Sequence, residues 1–219
     1  MYEHKNNQNG SVSSKYNKYA NFPSLPPAIP NFKSVPDDAK CFSLWDKYGM
    51  LPNIREHSLK VAHIATCLAK KAEEMGFDVN INSVRATALL HDLAKTHSIH
   101  YGGSHAQMGS AWVMAETGNH SLAQGVLFHV FWPWALPKEK DLISLPFFII
   151  YADKRVCHDR IVSLEERFDD LKIRYGRTEE IISHIAQTFS QARYLEKIFS
   201  KQLGWKLDED SFDCRGLVS

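Results

Sequence analysis

From about Asp38 onward, apolar residues recur three and four positions apart, and no stretch alternates apolar and polar residues in the manner of a strand. This periodicity constrains the chain more than any other feature. Such stripes are buried by packing helix on helix, so an all-α bundle is expected over residues 40–204. Start and stop signals divide it. Residues 40–48 form a short helix ending at Gly49. Asn53 opens a long helix that Gly76 stops, and Asn82 or Ser83 opens the next, toward His91. Residues 96–104, rich in Gly, Ser and His, read as a loop. Ser104 caps a helix closed by Gly118, and Asn119 caps another that Pro133 breaks. Ser144, with Pro146 just inside, begins a helix to about Val156. Ile161, Leu164, Phe168, Leu171 and Tyr175 mark one face of a further helix, and Thr178 caps the last, through about Gln202. Residues 1–39, polar and then punctuated by Pro23, Pro26, Pro27, Pro30 and Pro36, read as a flexible or surface-draped arm. Residues 205–219 read as an irregular tail.

Composition narrows the function classes. Hydrophobic residues make up 44% of the 219, enough for one domain with appended segments. The 26 Lys and Arg nearly cancel the 25 Asp and Glu, which gives no global reason to expect a nucleic-acid or membrane partner. The longest apolar run, Leu145 to Ala152, is too short to cross a bilayer. The polar start and four scattered cysteines, without a CxxC, lead us to expect a cytoplasmic location with free thiols. No glycine-rich phosphate loop and no GxSxG occurs, which disfavours nucleotide-binding α/β folds and serine hydrolases.

Eleven histidines are present, and several sit on apolar helical stripes. His57 shares the stripe of Val61 and Ile64. His91 shares that of Val84 and Ala88, with Asp92 turned about 100° from it on an ideal helix. Asp153 follows Ile149 and Ile150 by one turn. A carboxylate among apolar residues is costly to bury unless something neutralises it. Lys154 and Arg155 are expected to point elsewhere, which leaves a metal as its partner. Taken singly, an inward His is an ordinary hydrogen-bonded core residue and a buried Asp can pair with an Arg. Taken together, two His and two Asp form a nitrogen and oxygen set that suits Mn, Fe, Co, Ni or Zn rather than Ca. Such a site leaves positions open for water and a phosphate oxygen.

The runs NIREHSLKVAHIA, ATALLHDLAK and FFIIYADKRV resemble the H…HD…D signature of the HD-domain superfamily, over roughly residues 50–160 and in the expected order. The resemblance implies an all-α core with its metal between helices and hydrolysis of phosphate esters or anhydrides, often of nucleotides. HDLAK is similar to the HDIGK form and places Lys95 one turn after His91, where it implies a phosphate-holding cation. His105 and His129 match positions where binuclear members supply a second metal, with Asp92 shared. In this detail the layout looks most like the bacterial HDIG hydrolases of symmetrical dinucleoside tetraphosphates. The GYP motif of cyclic-di-GMP phosphodiesterases is absent.

The expected function is metal-dependent hydrolysis of a phosphate ester or anhydride, of a nucleotide or dinucleoside polyphosphate, using one or two divalent transition-metal ions (Fe, Mn, Ni, Co or Zn). Asp92 and Lys95 are the expected catalytic residues, and His57, His91, Asp92, His105, His129 and Asp153 the metal ligands. Lys95, Arg155 and Trp132 are the expected substrate contacts; for Arg155 a structural salt bridge is the safer reading, and Trp132 can equally fill the core or an interface. His158 and His184 match no motif. A di-iron oxygenase and a non-catalytic nucleotide-binding module remain alternatives, and oligomerisation stays open.

Overall fold

Most helices start where a side chain or a proline deals with the N–H groups that the first turn leaves without partners; the one at Lys95–Tyr101, entered from Ala94, does not. The computed structural model describes residues 34–207 together with Phe212. The arm up to residue 33 and Cys214 lie outside the described residues. Asp37 accepts from the Lys40 amide at 2.8 Å and opens α1, Asp38–Lys47. Pro52, in the first turn, starts α2, Pro52–Glu74, one residue ahead of Asn53. Asn80, rather than Asn82 or Ser83, caps α3, Ile81–Leu90, by accepting from the Ser83 amide at 2.8 Å.

The segment expected to be a loop divides in two. Its first part is α4, Lys95–Tyr101, and the helix stops at Gly102 and Gly103, both at positive φ. Ser104 then caps α5, His105–Thr117, which Gly118 closes in the left-handed conformation. Asn119 caps α6, His120–Phe128. After a 3-10 turn at Glu139–Leu142 comes α7, Leu145–Lys154, two residues shorter than expected. The chain leaves it into an antiparallel hairpin, β1 Val156–Cys157 and β2 Arg160–Ile161, with His158 at φ 58° in its turn. Strands of two residues are too short to show alternation. Ser163 caps α8, Leu164–Tyr175, and Thr178 caps α9, Glu179–Leu203. The all-α expectation therefore holds, with this hairpin as the strand structure among the described residues.

The central element is α7. Phe147 to Ala152 are buried on every side, because α2, α6 and α9 all pack against it. α2 also packs on α3, α3 on α6, and α5 on α6. Around this core, Ser34 donates its amide and hydroxyl to the Thr117 carbonyl at 3.2 and 3.3 Å. Arg85 reaches Asp38 at 2.7 Å. At the other end Phe212 is buried, 5.1 Å from the Trp205 ring. No described helix is long and apolar enough to cross a membrane.

The crossing of α6 over α3 and α7 needs a residue without a side chain. A Cβ on Gly125 would collide with Leu145 and lie 2.6 Å from the Thr87 methyl. Gly125→Val is therefore expected to destabilise the protein by about 1–3 kcal/mol, read as a lower denaturant midpoint at unchanged slope.

Candidate metal centre

Five helices deliver the candidate ligands to one place. His57 lies in the second turn of α2, and His105 is the first residue of α5. The other groups sit at helix C-termini. His91 is the C-cap of α3 with Asp92 next to it, His129 is the C-cap of α6, and Asp153 is in the last turn of α7. A helix C-terminus carries partial negative charge. Three of them, with two buried carboxylates, create a strong demand for cations.

The imidazoles are oriented from behind. His91 Nδ1 and His129 Nδ1 each contact a carbonyl of their own helix, Ala88 and Val126, at 2.7 Å. His57 Nδ1 contacts the His158 carbonyl in the hairpin turn at 3.2 Å. With the proton on Nδ1, each Nε2 lone pair faces inward, as metal-ligating histidines require. His57 Nε2 lies 3.0 Å and His91 Nε2 3.7 Å from Asp153 Oδ1. Asp92 turns its two oxygens to different partners. Oδ2 is 3.7 Å from His91 Nε2, and Oδ1 is 3.2 Å from His105 Nε2 and 3.6 Å from His129 Nε2. Two triads result whose ligand atoms lie within 4.8 Å of one another, His57–His91–Asp153 and His91–Asp92–His129.

Burial would lower His91, but Asp92 and Asp153 outweigh it and raise that imidazole above its usual range, so a cation there would displace its proton. The other charge states fit ligation directly. Burial pushes His105 down to about 4 and His129 down to about 3, so both are neutral near pH 7 and keep a lone pair for a metal. Burial would raise Asp92, but Lys95 and the imidazoles of His91, His105 and His129 outweigh it and hold the carboxyl below its usual range. Asp153 is likewise held well below that range, as Lys154, His57 and His91 overcome its burial. His91 Nε2 and Asp92 Oδ1 are buried and have no hydrogen-bond partner among the described residues. Buried polar atoms without partners are costly. Both face the cluster, where a cation would satisfy them, so the donor set fits a divalent transition metal.

A cavity of about 550 Å³ opens over the cluster, within the range of small-molecule sites. Lys95 stands at its edge with its side chain 35% exposed and Nζ 4.0 Å from Asp92 Oδ1. Lys154 corrects the sequence reading. It does not point away but places Nζ 2.5 Å from Asp153 Oδ2, buried and lining the cavity. One cation at this carboxylate is therefore a lysine. His158 and His184, which match no motif, also line the cavity.

Two expected substrate contacts lie elsewhere. Arg155 is 1% exposed and is committed within the core. Its Nε donates to the Val162 carbonyl at 2.8 Å, NH1 donates to the Tyr151 hydroxyl at 2.5 Å, and the guanidinium lies 5.3 Å from the Phe212 ring centroid. Trp132 packs in an aromatic cluster with Phe128, Trp134 and Phe147, and its backbone is held by Gln191. Neither lines the cavity. The preference of an indole for apolar neighbours, and of a buried guanidinium for several acceptors, explains both placements.

The HD domain family matches residues 54–196, well over half of the chain. Similar proteins include a tRNA (cytidine(56)-2'-O)-methyltransferase of Thermoplasma volcanium, 26% identical over 188 residues, covering 81% of this chain and 51% of that protein. A ribonuclease Y of Protochlamydia amoebophila is 33% identical over 171 residues, covering 76% of this chain and 29% of that one. A ribonuclease Y of Petrotoga mobilis is 26% identical over 155 residues, covering 71% and 26%. The chain thus spans from about half to about a quarter of the length of these curated relatives. No solved structure matches it. The matched residues enclose all six candidate ligands, from His57 to Asp153, and the chain belongs to the HD domain family.

Proposed function

We propose that this centre hydrolyses a phosphate ester or anhydride of a nucleotide or dinucleoside polyphosphate, using two divalent ions held by His57, His91, Asp92, His105, His129 and Asp153. The observation that carries the reading is the position of Asp92, whose two oxygens face two different sets of imidazoles within a single cluster. When bound, the ions supply Lewis-acid polarisation of a phosphoryl oxygen and a lowered pKa for coordinated water. The chain supplies the rest. Its carbonyls at Ala88, Val126 and His158 fix the imidazole tautomers. Lys154 offsets one carboxylate charge without leaving the cavity wall. Lys95 stands where it can hold a substrate phosphate as a point charge.

A second substrate reading comes from the relatives. Two of them are named ribonuclease Y, which favours an RNA phosphodiester. A panel of a dinucleoside tetraphosphate, a mononucleotide and a short oligoribonucleotide, assayed with Mn, Fe, Co, Ni and Zn in turn, decides between them. The first is expected to turn over fastest. The same panel run anaerobically separates hydrolysis from di-iron oxygenation, because hydrolysis needs no oxygen.

Asp92→Ala is expected to lower both bound metal, by elemental analysis, and turnover by roughly 100-fold or more. Substantial retention of both would falsify the proposal. Lys95→Ala is expected to keep its metal but to raise KM for the phosphate substrate by about tenfold, since a hydrogen bond to a charged group is lost. An unchanged KM would return Lys95 to the solvated surface.

A further inference from the structure

The cavity has a second wall with different chemistry. From α8, Phe168, Leu171 and Tyr175 face it at a three-four spacing; from α9, Ile181 and Ile185 do the same. Inner members of this wall, Phe168 and Ile185, belong to the core. Its outer members do not close over. Tyr175 is 46% and Ile181 38% exposed, although both line a concave surface. Large apolar side chains left open inside a cavity mark a surface that a ligand covers. The Tyr175 ring is also partly preorganised, with the Arg174 guanidinium 5.1 Å from its centroid.

The polar groups of this wall are mostly engaged. Arg167 and Arg174, which also line it, each donate to Asp170 Oδ2, at 3.3 and 3.4 Å, and Arg174 donates to the Tyr175 hydroxyl at 3.2 Å. The Thr188 hydroxyl is committed to the His184 carbonyl at 2.9 Å. The His184 ring packs edge-on against Phe131 at 5.5 Å. Apart from Arg167 Nε, which is buried without a partner among the described residues, the wall presents aromatic and aliphatic surface whose polar groups are already engaged. A π-face can be recognised by such a surface whatever its edge pattern.

We propose that the α8–α9 wall binds the planar heteroaromatic group of the substrate, a nucleobase, by stacking and apolar contact, and that it does not read which base is present. This rests on the reading of the centre as a nucleotide-directed phosphohydrolase. The metal cluster and Lys95 take the phosphate, and Tyr175 and Ile181 select for the organic part of the same molecule.

The test is equilibrium binding to the whole 219-residue chain by calorimetry, with inorganic phosphate, adenosine monophosphate, uridine monophosphate and octyl phosphate as probes. Both nucleotides are expected to bind at least about tenfold more tightly than phosphate, and within about tenfold of each other. Tyr175→Ala and Ile181→Ala, at open positions that the core does not need, are each expected to remove most of that advantage and to leave phosphate binding unchanged. Nucleotides that bind no better than phosphate overturn the proposal. So do variants without effect, a preference for one base beyond about 100-fold, or octyl phosphate binding as tightly as the nucleotides. Nucleotide binding of the expected pattern without hydrolysis of any panel substrate would support the wall while removing the catalytic reading, so the two failures are distinguishable.

Discussion

Negative charge concentrated at one point governs this structure. Asp92 and Asp153 are buried, and the C-terminal ends of α3, α6 and α7 come together beside them. Lys154 answers Asp153 directly, and Lys95 stands 4.0 Å from Asp92 at the rim of the cavity. His105 and His129 add no charge near neutral pH, since burial holds both imidazoles in the neutral form. The remaining demand is for cations, which explains why polar atoms such as His91 Nε2 are aimed into the cluster without partners among the described residues.

The fold serves that point by dividing labour among its helices. α7 is surrounded by other helices, and its long apolar run holds Asp153 at a fixed depth. α3 and α6 end at the cluster, so their own last carbonyls orient the histidines that follow. His57 differs. It enters from the N-terminal part of α2, far from any free carbonyl of its own helix end, and takes its orientation from the hairpin turn at His158. The small hairpin thus has a role out of proportion to its length. α8 and α9 carry none of the candidate ligands, and their part is to line one side of the cavity with apolar and aromatic side chains among arginines.

Much of this was legible in the sequence because helical periodicity reports burial directly. The stripes of His57, His91 and Asp153 pointed inward, and their side chains do converge. What escaped was decided by local geometry rather than by pattern. Lys154 follows Asp153 by one position, which on an ideal helix turns it away. At the helix end its flexible stem folds back, and the ammonium meets the carboxylate. Arg155 had the chemistry of a phosphate contact, yet Tyr151 one helical turn before it, Val162 in the segment after the hairpin and Phe212 far along the chain engage it. Asn80 outcompetes Asn82 and Ser83 as a cap because its carboxamide reaches the Ser83 amide. His184 carried no motif, because its place in the cavity depends on how α9 packs and not on its neighbours in sequence.

His57 and Asp153 are 96 positions apart along the chain, yet their side chains meet at 3.0 Å. Any ion gripping both acts as a reversible cross-link that closes a very long loop. Closing such a loop removes conformational freedom chiefly from the unfolded chain. Such an ion would therefore also be a clasp: filling the cluster would tie the two ends of the sequence that bears the candidate ligands together and hold the bundle shut.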